Sequence, residues 1–220
     1  MKKIALIMVC TLGIIYLVGY FNSIAVNDGF KTLEEKSLGL LKEGDIIFQT
    51  SESEQSKAIQ ITTNSKFSHC GLVYAINGKK YVYEAVQPIK ITPIEEWINH
   101  GKDKKYLVKR LKNAETVLNS PTLSKMKQKG ELYLNKNYDA YFEWSDDKIY
   151  CSELVWKIYN EGANIKLCSF QTLKDFNLND PKVQKIMKQR YGNNIPYHEE
   201  VVAPSQLVNS DVLETVIDTY

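Results

Sequence analysis

Apolar positions fall into one long block followed by many short ones. After Met1-Lys2-Lys3 an almost unbroken apolar run extends from Ile4 to Phe21. A positive start before such a run is the layout of an export signal, and the run is close to the length that crosses a bilayer. Residues 1–25 are therefore expected to be a signal peptide, cut near Ser23-Ile24-Ala25, or an N-terminal membrane anchor, with a linker over 26–40. From Leu41 the blocks shorten. Gly44-Asp45 reads as a turn before a strand through Ile46-Ile47-Phe48, and Ser53 to Thr62 as a short surface helix. Cys70 to Ile76 predicts a second strand. Asn77-Gly78 is a strong hairpin signal, and Tyr81 to Val86 the returning strand.

The pattern then alternates. Pro88 to Thr92 is extended, Pro93 to Asn99 a short helix around Trp97, and Tyr106 to Leu111 a strand. Pro121 to Leu134 is helical with a Lys-rich outer face, and Asn135 to Asp147 is a loop carrying Tyr138, Tyr141, Phe142 and Trp144. Leu154, Val155, Trp156, Ile158 and Tyr159 predict a helix starting near Cys151 and ending at Gly162. After a loop at 173–176, Pro181 at a first helical turn opens a helix to Tyr191. A tail follows with Ala203-Pro204-Ser205-Gln206-Leu207 and a short helical end. At 220 residues the chain fits one domain, 41–220, behind an N-terminal appendage.

Charge narrows the classes of function. Lys and Arg number 28 against 26 Asp and Glu, and removing Lys2 and Lys3 with the leader leaves 26 against 26. A neutral mature chain argues against nucleic acid as a partner, which would demand a concentrated basic surface. The four cysteines are Cys10, Cys70, Cys151 and Cys168. Cys10 lies in the leader, where bulky Met8 and Val9 and the continuing apolar run argue against lipoprotein processing. The remaining three do not suggest a disulfide framework, and no Cys-x-x-Cys or His-x-x-x-His pair indicates structural zinc. No metal or cofactor is expected.

Candidate chemistry centres on Tyr150-Cys151-Ser152-Glu153-Leu154-Val155. A cysteine at a helix start meets unpaired N–H groups and the positive end of the helix dipole, which favour the thiolate. The base candidate is His69, in Ser68-His69-Cys70-Gly71-Leu72-Val73. The tight hairpin lays Glu84, or a neighbour, on the strand beside it, so that imidazole and carboxylate can face each other. Residue chemistry alone leaves Cys151 open between a nucleophile and an ordinary buried cysteine. Asp45 is read as a turn-maker, Glu153 as a first-turn structural carboxylate, and His100 and His198 as surface residues. The aromatics from Tyr138 to Trp144 are divided between a substrate groove and core.

Gly44-Asp45-Ile46-Ile47-Phe48, Ser68-His69-Cys70-Gly71-Leu72-Val73, Tyr83-Glu84-Ala85 and Tyr150-Cys151-Ser152-Glu153-Leu154-Val155, in that order, resemble the motifs of the YiiX family of circularly permuted papain-fold cysteine hydrolases, within the NlpC-type superfamily. Arg190-Tyr191-Gly192 and Ala203-Pro204-Ser205 fit the same pattern. The resemblance implies an α+β, circularly permuted papain-like fold, a small antiparallel sheet or barrel packed against helices, with the histidine strand preceding the nucleophile helix. It also implies Cys151 as nucleophile, His69 as general base and then acid, and Glu84 as the residue that orients the imidazole. Tyr138 and Tyr150 are further candidates at the substrate. Cys70 departs from the family, where an aliphatic residue is common, and strand alternation is expected to turn it into the core, away from the cleft.

The expected function is hydrolysis of an amide through a thioester acyl-enzyme, on envelope peptides or acyl-amides outside the cytoplasm, with membrane proximity through residues 4–21. Two alternatives stand beside it: thioester acyl transfer on lipids, and a non-catalytic envelope-binding module on the same fold.

Overall fold

The structure, a computed structural model, describes residues 36–220. The expected leader at 1–25 and most of the 26–40 linker lie outside the described residues. Among the described residues no helix is long and apolar enough to cross a membrane. The elements below belong to the unit Lys42–Tyr220. In chain order they are β1 (Ile46–Gln49), α1 (Glu54–Thr63), β2 (His69–Ile76), β3 (Lys79–Glu84), β4 (Lys90–Pro93), α2 (Ile94–Asn99), β5 (Tyr106–Leu111), α3 (Ala114–Val117), α4 (Ser120–Glu131), β6 (Asn137–Tyr138), β7 (Lys148–Ile149), α5 (Cys151–Ile158), β8 (Gln171–Thr172), α6 (Pro181–Tyr191), β9 (Glu200–Val201), α7 (Pro204–Val208) and β10 (Leu213–Asp218).

Six strands form one antiparallel sheet in the order β10-β5-β1-β2-β3-β4. β1 occupies its middle, and its unalternated Ile46-Ile47-Phe48 run is wholly buried because both sheet faces are covered. Asn77 and Gly78 take positive φ of 51° and 78°, the backbone of a type I′ turn, whose twist matches the flanking strands. That turn fixes the register, pairing Leu72 with Tyr83 and Gly71 with Glu84. Cys70, Leu72 and Tyr74 of β2, with Tyr83 of β3, join Leu154, Val155 and Ile158 of α5 in the main core. The other face carries His69, Glu84 and Thr92 beside α2.

Gly162 does not stop the nucleophile helix: the helical path continues from α5 through a wider turn at Tyr159–Ala163 and is capped by Asn164, which is left-handed at φ 56°. Gly162 is instead a point of close approach, where a Cβ would lie 2.6 Å from Met126 Cα of α4. The chain end is not helical. The tail helix is α7 itself, and β10 closes the sheet against β5 with a register shift between Thr215 and Ile217. Asp45 does hold its turn, accepting the Lys42 N–H at 2.8 Å, but its buried carboxylate also takes two 2.7 Å bonds from Arg110.

Candidate active site

Tyr150 is extended (φ −101°, ψ 168°) and precedes the first turn of α5, so Cys151 is the first helical residue. Its thiol is buried at the positive end of the helix. α5 packs against β2, whose first residue is His69. His69 Nε2 lies 2.8 Å from Glu84 Oε2, and Thr92 Oγ1 donates to Glu84 Oε1 at 2.5 Å. Glu84 stands opposite Gly71, two places along from His69 on the same sheet face, a diagonal pair within reach of long side chains. Gly71 permits this approach. A Cβ there would meet Val82 Cγ1 at 2.3 Å and the Tyr83 carbonyl oxygen at 2.7 Å. Trp97 of α2 stacks on the imidazole, 5.8 Å between centroids and 23° between planes.

With Nε2 held by Glu84, Nδ1 is the ring nitrogen left for Cys151, and the thiol and imidazole hydrogen-bond. The Cys70 thiol donates to Cys151 as well. That bond, with those from His69 and the Cys70 backbone and the imidazolium charge, overcomes burial and holds the Cys151 thiol well below its ordinary value. Burial alone would lower His69, but its bonds to Cys151 and Glu84 and their charges push it up to about 10. Burial would raise Glu84, and the His69 and Thr92 hydrogen bonds with the imidazolium charge keep it low instead. The state favoured at neutral pH is thiolate, imidazolium and carboxylate in a row.

The structure thus brings Cys151, His69 and Glu84 together. Cys70 is buried in the core as alternation predicts, yet it is not turned away from the site, because its thiol reaches Cys151. Tyr138 accepts a 2.9 Å bond from Gln55 Nε2, and Arg190 donates to Gln55 Oε1 at 3.1 Å. Burial raises the Tyr138 hydroxyl, and the Cys151 charge adds to that effect, so the phenol stays protonated beside the thiolate. The Tyr150 hydroxyl accepts the Val202 N–H at 3.1 Å, and the residue lines the pocket next to Cys151.

Of the other loop aromatics, Phe142 lines that pocket, Trp144 packs with Trp156 and Phe170, and Tyr141 is exposed against Tyr191. Glu153 is buried with Lys157 Nζ 2.8 Å away. Burial outweighs that cation and leaves the Glu153 carboxyl at about 7. Cys168, remote from these charges, is pushed up to about 12 by burial. His100 and His198 are exposed. Among the described residues no group of three or more His, Cys, Asp or Glu is placed to hold a metal ion. Sequence reasoning missed the Cys70 contact, Gln55, Thr92 and the Trp97 stack. Only Thr92 carried a signal, lying on the strand that follows Glu84.

A model of the permuted papain-like amidase enzymes, YaeF/YiiX, C92 family, matches residues 40–217. The chain is 46% identical over 173 residues to uncharacterized protein YiiX of Escherichia coli strain K12, covering 79% of this chain and 84% of the relative. It is also similar to the crystal structure of metalloprotein YiiX from Escherichia coli O157:H7, with a TM-score of 0.78 and 45% identity over 81% of this chain and 98% of that one.

Proposed function

The chain belongs to the permuted papain-like amidase family of the YaeF/YiiX type, and from that premise we propose that Cys151 is the nucleophile of a cysteine amidase, His69 its general acid and base, and Glu84 the group that orients and charges the imidazole. The Cys151 thiolate attacks the amide carbonyl carbon, and the carbonyl π electrons move to oxygen. N–H groups at the start of α5 and the Tyr138 hydroxyl, which accepts from Gln55 and keeps its own proton to donate, serve as donors to that oxyanion. The C–N bond breaks as the imidazolium passes its proton to the leaving nitrogen, leaving an amine and a Cys151 thioester. Neutral His69 then takes a proton from water as it attacks the thioester; the acid departs and thiolate and imidazolium are restored.

The observation that carries this reading is the buried Glu84–His69 pair at 2.8 Å, with the free side of the ring on the thiol at a helix N-terminus. The substrates we propose are peptides or acyl-amides of the cell envelope, met outside the cytoplasm. The apolar segment at 4–21 behind two lysines supports export or anchoring. A metal does not suit this site. Both ring nitrogens of His69 are engaged, and no group of three or more His, Cys, Asp or Glu is placed to hold an ion among the described residues. The test is amide hydrolysis by the purified protein and its Cys151→Ala variant. Loss of turnover by at least a thousandfold is expected, and unchanged turnover in the folded variant would refute the assignment.

A further inference from the structure

Two cysteines that lie 81 positions apart in the chain meet in the fold. Cys70 is the second residue of β2 and Cys151 the first of α5, and the packing of α5 on β2 brings both into the main core. The Cys151 sulfur takes hydrogen bonds from the Cys70 thiol and from the Cys70 backbone N–H. The two sulfurs are thus neighbours, each fixed by a regular element. Both are free thiols, as is Cys168 on the loop after α5. The pair is unequal in character. The bonds from Cys70 and His69 hold the Cys151 thiol well below its ordinary value, whereas burial, with the Cys151 bond and charge, pushes Cys70 well above its own. One is a thiolate and the other keeps its proton. Access differs as well: Cys151 lines a pocket open to solvent, and Cys70 is wholly buried behind it.

An accessible thiolate is the form of cysteine that peroxide oxidises, and a second thiol in contact with it intercepts the product before oxidation goes further. We propose that Cys151 and Cys70 form a reversible disulfide when the protein meets hydrogen peroxide, Cys151 being the residue oxidised and Cys70 the one that resolves it. The Cys151 thiolate attacks one peroxide oxygen, the O–O bond breaks, and the departing hydroxide takes the His69 proton and leaves as water. Cys151 is then a sulfenic acid. The Cys70 sulfur attacks the Cys151 sulfur, the S–O bond breaks, and the departing hydroxide carries off the Cys70 proton as a second water. Each sulfur gives up one electron and the peroxide takes both. A dithiol reverses the bond by exchange. The disulfide stops turnover by removing the nucleophile, and it shields Cys151 from the irreversible sulfinic state. Its formation rests on the two thiols, and its effect on turnover rests on the Cys151 amidase reading.

The test treats the purified full chain with hydrogen peroxide, denatures it in iodoacetamide to block the remaining thiols, and digests it with trypsin without reductant. The expected product joins peptides 67–79 and 149–157, which carry Cys70 and Cys151, with Cys168 alkylated. Dithiothreitol is expected to separate the two peptides and to restore amide turnover. Cys70→Ser keeps a hydroxyl to donate to Cys151 but forms no disulfide. In that variant peroxide is expected to leave a sulfenic acid that dimedone traps and then a sulfinic acid, so that the loss of Cys151 thiol that dithiothreitol does not reverse exceeds the wild-type loss about tenfold. Wild-type protein driven to Cys151 sulfinic acid with Cys70 still alkylated, or linked through Cys168 instead, would overturn the inference whether or not the variant folds. Equal irreversible loss in wild type and a folded Cys70→Ser would do the same. Amide turnover by a protein that forms no Cys70–Cys151 link would overturn the disulfide and leave the amidase standing, whereas the link in a protein that hydrolyses no amide would sustain the disulfide and sink the amidase reading.

Discussion

Glu84→Gln isolates the charge beneath the imidazole from its hydrogen bond. Glutamine can still accept from His69 Nε2 with its amide oxygen and can donate its NH2 to the Thr92 hydroxyl, so the geometry is retained while the carboxylate charge is lost. At 2.8 Å, and with the Glu84 side chain only 3% exposed, the gross attraction is about 6 kcal/mol at an effective dielectric of about 20. The retained hydrogen bond and compensating solvation reduce this. An opposite charge at such range moves a pKa by about 1–3 units, or about 1.4–4 kcal/mol.

The sign is fixed. Removing the carboxylate destabilises the imidazolium, so the His69 value falls from about 10 to about 7–9. Cys151, losing part of its cationic partner, moves up. The pH window of the thiolate–imidazolium pair narrows from both ends, and a two-unit fall in the histidine lowers activity at pH 9 about tenfold. The assay is the pH profile of kcat/KM on an amide substrate, whose alkaline limb reports the histidine.

Stability follows the same logic. The raised His69 value contributes stability in full below its unfolded value near 6.5, and that contribution is lost as pH rises through about 10. The lowered Glu84 value contributes above its unfolded value near 4.5 and is lost as pH falls through the folded one. The variant's deficit in melting temperature should therefore lie between those limits and shrink above pH 10. An unmoved alkaline limb in a folded Glu84→Gln protein would refute the reasoning.

Three further substitutions probe separate parts of the structure. Cys70→Ala removes the largest influence holding the Cys151 thiol down; a bond to a charged group is worth about 1.5–3 kcal/mol, so the pH midpoint of iodoacetamide labelling should rise by about 1–2 units, and an unchanged midpoint would return Cys70 to a packing role alone. Asp45→Ala removes one partner of an ion pair whose side chains are 15% and 1% exposed, and urea unfolding should show a loss of about 3–5 kcal/mol. Gly162→Ala places a methyl 2.6 Å from the Met126 backbone; a loss of about 1–3 kcal/mol is expected in the same assay, and wild-type stability would show that α4 yields at no cost.

What was legible in the sequence was what short-range chemistry encodes. Asn77-Gly78 fixed the β2–β3 register, and with it the placement of Glu84 on the face of His69. The helix after Tyr150 was readable from its apolar spacing. Its stop was misread, because glycine serves close packing as readily as termination, and Gly162 takes the first role against Met126. β10 was read as helical for a related reason. Its bulge at Thr215 to Ile217 leaves Leu213 and Ile217 as the buried pair, four residues apart, which is also helical spacing. Alternation placed Cys70 in the core correctly, but not its contact with Cys151, which arises from packing α5 on β2 rather than from either segment. Asp45–Arg110, Gln55–Tyr138 and His69–Trp97 likewise join residues 65, 83 and 28 positions apart, and nothing local announces such pairs.

The central claim is that Cys151 carries the acyl group between two half-reactions. It is tested most directly by acid-quenching the protein during turnover of an amide and measuring the mass of the peptide containing Cys151. That peptide is expected to be heavier by one acyl group, with the adduct released by hydroxylamine and absent from Cys151→Ala. Sustained hydrolysis with the acyl group on another residue, or undiminished in Cys151→Ala, would contradict it.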